Sequence, residues 1–379
     1  MPPPRRRQIL RAQGGTNFAA PNACPPAAVR VGPQAPSAVT GMRTSESQFT
    51  AGTSSAKLGL MAGVALNREM LDAWRARIRV ARPFLRWAGG KQHFLFNFAD
   101  RMPDVQGTFI EPFLGSGAVF FKLMSRQAHP GKARLGDINK QLVQCFLEVR
   151  DNPDGVCDRL DLLQQGYLAA KDRSEFYYKQ REIYNATLPK PDAAVFIFIN
   201  RTCWNGLYRV NQKGRFNVPF GAPKSEVVIP TRDDLLNASA ALAQSHVRAT
   251  TWQNTLAFAR SGDFVFMDPP YYSELVADDR RATKYQKRLF TLRDHLELAE
   301  ALVQLERRSI DFILTNSAES EMIELYRSHA LRVEVIQAPR SINSKVDRRG
   351  PVDELLVSSS NLNYEKPDQL AWMLTEKLP

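Results

Sequence analysis

Phe264-Val265-Phe266-Met267-Asp268-Pro269-Pro270-Tyr271 is the stretch on which the reading of this 379-residue chain turns. Four apolar residues in a row fit a strand buried on both faces of a parallel sheet. Two prolines stop it, because neither can donate to a ladder. An aspartate and an aromatic are thereby left at the strand's carboxyl end, where open α/β sheets bind ligands. The Asp268 carboxylate and the Pro269 carbonyl can both accept from one amino group, and the Tyr271 ring can lie against a heterocycle. That is a seat for a planar base with an exocyclic amine. The plainer reading is a proline-stopped strand end with a solvated aspartate.

Upstream, Thr108 to Pro112 reads as a strand ended by a proline, Gly115-Ser116-Gly117 as a turn, and Ala118 to Met124 as the start of a helix. Strand, glycine turn and helix form the opening unit of a doubly wound nucleotide fold. Ala133 to Asp137 is a second short strand ending in an acid. The region 139–190 is mostly helical, 193–199 is an apolar helix or strand, and 200–222 is rich in Asn, Gly, Arg and aromatics. Further strands are predicted at 263–267 and 310–315 with a helix at 291–306 between them. Leu331–Ile336 and Glu354–Ser358 pattern as a closing hairpin.

A ligand end emerges from Trp87-Ala88-Gly89-Gly90-Lys91 together with Phe113, Gly115 and Gly117. Adjacent glycines let the backbone pass close to a ligand. Lys91 would offer a cation to a carboxylate, Trp87 an aromatic face, and Asp137 an acceptor for ribose hydroxyls. Plainer readings are a solvated lysine and an Asp137 that caps the next helix. There is no GxxxxGK[ST] loop, which argues against an ATP-hydrolysing site. A ligand with a nucleoside, an amino-acid carboxylate and no need for a phosphate cradle fits, and S-adenosylmethionine is one.

The net charge is +12, but residues 1–82 hold twelve Lys/Arg against three Asp/Glu, so the remaining 297 residues carry only +3. Overall basicity is therefore a weak pointer to nucleic acid. Residues 1–60 are rich in Pro, Ala, Gly, Ser and Thr without hydrophobic period, and are expected to be disordered. The Arg-rich start also admits an organelle transit peptide, or a gene start placed too early, with Met42, Met61 or Met70 as the first residue. Residues 66–82 look helical and basic. Cys24, Cys145, Cys157 and Cys203 form no metal-ligand spacing and read as reduced thiols of a cytosolic protein. No apolar run approaches a membrane span.

Taken in order, FLRWAGGK at 84–91, FIEPFLGSGAVF at 109–120, GDIN at 136–139, NRTCWNGLYRVNQKGRFNVPFG at 200–221, FMDPPYY at 266–272, LFTLRDH at 289–295 and the block RSINS…VDELL at 340–356 resemble the Dam-like DNA adenine-N6 methyltransferases. The resemblance implies a Rossmann-like doubly wound mixed sheet with an inserted, mainly helical target-recognition domain. It places the catalytic domain at 83–145 and 251–360, target recognition at 146–250, and a tail at 361–379. It implies that Trp87, Lys91, Asp137 and Asp268 contact S-adenosylmethionine or line its pocket, with Phe113, Gly115 and Gly117 forming the turn around it. Asp268, Pro269, Pro270 and Tyr271 would hold an adenine rotated out of duplex DNA. No metal is expected. One departure is Thr202-Cys203-Trp204-Asn205-Gly206, where the family often has Tyr-Gly-Tyr-Asn-Gly, which puts the local loop shape in question.

For the DNA, Arg209 suits a bidentate contact to guanine O6 and N7. Leu207 and Pro219 suit a thymine methyl, and Trp204 suits a wedge into the space left by the flipped base. Asn205 belongs to the same set. By resemblance these positions match those that read a GATC-type site. An ordinary surface hairpin with solvated arginines is the plainer reading. The expected activity is site-specific transfer of a methyl group to the adenine N6 amine. Alternatives are the cytosine N4 amine, which offers the same two hydrogens, and a catalytically silent DNA-binding relative. A monomer is expected, with a dimer on DNA as the alternative.

Overall fold

A computed structural model describes residues 68–89, 91, 94–95, 102–127, 132–224, 229–272, 290–339 and 351–362. The stretch 1–60, the basic residues Arg340, Lys345, Arg348 and Arg349, and most of the tail 361–379 lie outside them.

The described residues build a sheet of seven strands: β1 (Phe109–Glu111), β2 (Ala133–Asp137), β3 (Ser245–Ala249), β4 (Phe264–Met267), β5 (Asp311–Ser317), β6 (Arg332–Pro339) and β7 (Pro351–Ser358). Their order is β3-β2-β1-β4-β5-β7-β6. The first five run parallel, while β7 is antiparallel to both its neighbours. Alternation sorts the central strands onto two cores. Phe109, Phe264 and Phe266 face one, and Ile110, Val265 and Met267 face the other. All four residues of β4 are buried, as its unbroken apolar run requires.

Ten helices are described: α1 (Arg68–Arg79), α2 (Ala118–Gln127), α3 (Lys140–Asp151), α4 (Pro153–Ala169), α5 (Arg173–Ala186), α6 (Ala193–Thr202), α7 (Arg232–Leu242), α8 (Trp252–Leu256), α9 (Leu292–Arg307) and α10 (Ser320–Ser328). The ambiguous apolar run 193–199 is helical. Asp192 caps it by accepting from the Ala194 and Val195 N–H groups, and a carboxylate at that position favours helix over strand. α6 packs against α3, α4 and α5, and its Phe198 meets the rings of Tyr167 and Phe176 edge-on. α9 starts with a reciprocal capping box between Thr291 and Asp294.

Helices α3 to α7 intervene between β2 and β3. Strand β3 was not read from sequence, and it falls inside 146–250, the span assigned to target recognition. It pairs in register with all of β2, so the sheet extends to Ala249. Ser-His-Val-Arg-Ala buries only Ser245 and Val247, so it carries little of the apolar signal of a central strand. Among the described residues no helix is long and apolar enough to cross a membrane.

Candidate active site

The carboxyl ends of β1, β2, β4 and β5 converge on one set of polar groups. After β4, Asp268 leaves the strand, Pro269 is buried, and Tyr271 keeps an exposed ring. Lys91 is 6% exposed, and its Nζ sits 2.9 Å from Asp268 Oδ1. It also donates to the Tyr271 hydroxyl at 2.9 Å and to the Gly89 carbonyl at 3.2 Å. Thr315 Oγ1, from β5, donates to Asp268 Oδ1 at 2.9 Å. Lys91, read from the sequence as a cation for a ligand's carboxylate, pairs here with Asp268 of the chain itself. Asp268 Oδ2 carries none of these bonds and faces Gly89, where an added Cβ would still stand 3.8 Å away.

Burial alone would lower the Lys91 ammonium, but the charges of Asp268 and Tyr271 outweigh it and hold the pKa above its ordinary value. Burial raises the Asp268 carboxyl, and Lys91 opposes that rise. Lys91 therefore stays charged and, with Thr315, donates to Asp268 Oδ1.

The glycine turn is built as its sequence suggests. Gly115 and Gly117 have φ of +50° and +68°, a region costly to residues with a Cβ. A Cβ on Gly115 would also meet Trp87 Cδ1 at 3.0 Å. Leu114 N–H donates to the Gly136 carbonyl at 2.9 Å, tying the turn to the end of β2. Asp137 accepts from Gly115 N–H at 3.1 Å and from Asn139 N–H at 2.8 Å. It braces the turn, while Asn139 caps α3. Trp87 stacks on Tyr208 with ring centroids 5.3 Å apart and 23° between planes. Phe113 lies edge-on to Phe290 at 5.9 Å.

Sequence reading missed Glu111. It ends β1 with 3% exposure, and its Oε2 has no hydrogen-bond partner. Burial first, then the neighbouring charges of Asp268 and Asp137, push its pKa well up. Three carboxylates thus lie near enough to feel one another's charge, one with an unmet acceptor. The only sequence signal was an acid directly before a strand-ending proline. Thr315, Asn316 and Ser317 were missed too. All three contact the segment Asp268–Tyr272 from β5.

The hairpin after α6 brings the remaining candidates to the surface. Bridges Cys203↔Phe220 and Val210↔Phe216 pair its arms. Trp204 N–H donates to the Pro219 carbonyl at 2.9 Å. Trp204 is 52% exposed, Asn205, Arg209 and Pro219 are exposed, and Leu207 is half-buried. Arg209 Nε donates to Asn217 Oδ1 at 2.9 Å and Nη2 to the Asn217 carbonyl at 3.3 Å. Cys203 takes extended backbone (φ −76°, ψ 168°) open to any residue. The left-handed positions fall on Asn205 (φ 53°) and Gly206 (φ 63°) instead, so the loop does not need a glycine at 203.

A mixed sheet of this order, with an acid-proline-proline-aromatic turn at its centre, is consistent with an α/β methyltransferase fold. Residues 87–342 match the D12 class N6 adenine-specific DNA methyltransferases, and the chain belongs to that family. It is 34% identical over 296 residues to the type II methyltransferase M.MjaIII of Methanocaldococcus jannaschii, covering 75% of this chain and 99% of that protein. It is 31% identical over 278 residues to the DNA adenine methylase of Haemophilus influenzae (73% and 92%) and 30% identical over 277 residues to that of Escherichia coli K12 (73% and 94%). It is thus an adenine-specific DNA methyltransferase, and its substrate is DNA.

Proposed function

We propose that this enzyme transfers a methyl group from S-adenosylmethionine to the N6 amine of an adenine flipped out of duplex DNA, within a GATC-type site. The observation that carries the reading is the Asp268 carboxylate. One oxygen is held by Lys91 and Thr315, and the other faces Gly89. The chemistry of these residues suits the donor. The unmet Oε2 of Glu111 would take an α-ammonium group, and the turn Phe113–Gly117 and Trp87 would line the pocket. Asp137 would turn an oxygen toward the ribose.

When bound, S-adenosylmethionine supplies a methyl group already activated on a sulfonium. The chain's own work is placement. Asp268 Oδ2 and the Pro269 carbonyl would accept the two amine hydrogens and so direct the nitrogen lone pair. Tyr271 would cover the base in place of its lost neighbours. Its hydroxyl is tied to Lys91, which fixes the ring relative to Asp268. On the DNA side, Asn217 orients the Arg209 guanidinium and leaves its Nη edge for guanine O6 and N7. Trp204, Asn205, Leu207 and Pro219 would complete the reading surface. The helical group and hairpin, apart from β3, serve as the target-recognition region.

Methyl incorporation into defined duplexes tests this. Wild type should label adenine in GATC and not cytosine N4 in a matched duplex. Asp268→Ala should still bind DNA but lose at least about 100-fold in transfer, the loss typical of a missing transition-state hydrogen-bonding group. Near wild-type turnover by that variant would remove the amine-holding role.

A further inference from the structure

Strand β5 grips the segment beyond the acceptor turn with three consecutive side chains. Thr315 reaches Asp268, Ser317 Oγ donates to the Tyr272 carbonyl at 2.8 Å, and Asn316 Oδ1 accepts from the Tyr272 N–H at 3.3 Å. Asn316 Oδ1 also accepts from the Ser317 N–H at 2.8 Å. With two backbone donors on the oxygen, the amide nitrogen must point the other way. It faces His295, with Nδ2 lying 3.4 Å from His295 Nδ1. A donating amide is met by a lone pair opposite, which favours a bare Nδ1 and a ring proton on Nε2, a buried atom with no hydrogen-bond partner among the described residues. Both residues are fully buried. Phe290 and Tyr272 stand edge-on to the imidazole at 4.7 and 6.2 Å. Burial drives its pKa down to about 4 against the opposing charge of Asp294, so the ring is neutral at working pH.

We propose that Asn316, oriented by the bare Nδ1 of His295, is a positioning residue for methyl transfer. It fixes the Tyr272 peptide and through it the seat formed by Asp268 to Tyr271. The proposal rests on reading that turn as the seat of the target base. The other tautomer would set N–H against N–H and turn the amide over. Its nitrogen would then oppose the Tyr272 N–H. Misplacing a reacting group by 1 Å costs on the order of 100-fold in rate.

His295→Leu removes the acceptor, while His295→Asn puts an amide oxygen near the place of Nδ1. With concentrations set by active-site titration, His295→Leu should lower kcat about 10- to 100-fold, with KM for DNA and for S-adenosylmethionine within about 3-fold of wild type. His295→Asn should stay within about 3-fold of wild-type kcat. In the wild type, ¹⁵N spectra should show His295 protonated on Nε2 alone. Wild-type kcat in His295→Leu, an equal loss in His295→Asn, or a proton on Nδ1 would each overturn the proposal. If the wild type prefers another amine, the reading of the site fails. The ratio of the two variants on that amine still decides the positioning role.

Discussion

Glu111 destabilises the fold and, in the proposed function, holds the ammonium group of the methyl donor. Its carboxyl is buried among acids, with one oxygen unmet and a pKa well above the ordinary carboxylate value. The sign of its effect on stability follows. At neutral pH the unfolded chain ionises this group freely, while the native state must either bury the charge or hold a proton. As pH falls through the folded pKa toward the unfolded value, the native state gains its proton first, and the penalty disappears. Glu111→Gln should therefore raise the melting temperature at pH 7 by at least about 2 °C. That gain should vanish at acid pH, and affinity for S-adenosylmethionine should fall, read by calorimetry on the same samples. A protein binds its ligand more strongly where it keeps an unmet group for it.

At the scale of elements, the hairpin 203–220 buries Tyr208, Phe216 and Val218 in the core and exposes Trp204 and Arg209; in the proposed function Arg209 is its guanine reader. Arg209→Ala should reduce discrimination against a substituted guanine by about 1–3 kcal/mol. The measurement is kcat/KM on cognate and substituted duplexes, with the cognate rate falling and the substituted rate nearly constant. The elements also show what could be read beforehand. Strands β1 and β4 and the glycine turn announce themselves through apolar runs cut short by Pro or Gly, which are local signals. Strand β3 does not, because an edge strand needs only alternate burial and its His246 and Arg248 face outward. Thr315, Asn316 and Ser317 look like the polar end of any strand. Their work depends on Asp268 and Tyr272 lying beside them, which only the fold decides. The stacking of Tyr208 on Trp87 joins residues 121 positions apart and left no trace in local pattern.

For the whole molecule, the family match begins at residue 87, yet the fold begins earlier. Helix α1 packs against α2 and α7. Ile78 is fully buried, and Arg82 Nε meets Asp234 Oδ1 at 2.7 Å. A chain starting at 83 should lose about 2–4 kcal/mol relative to one starting at 68, as removal of a buried aliphatic side chain does. Thermal unfolding of the two truncations checks this.

The position of β7 has a consequence for how the protein is made. It is the last of the described strands in chain order, but it lies inside the sheet, between β5 and β6. A ribosome delivers β5 and β6 first; β5 can pair with β4, but its other edge and β6 stay unpaired until residues 351–358 have left the exit tunnel. During that interval β5 presents a bare edge to every other nascent polypeptide nearby. A message truncated before codon 351 would yield the whole turn Asp268–Tyr271 without the strand that covers β5 and joins β6 to the parallel strands.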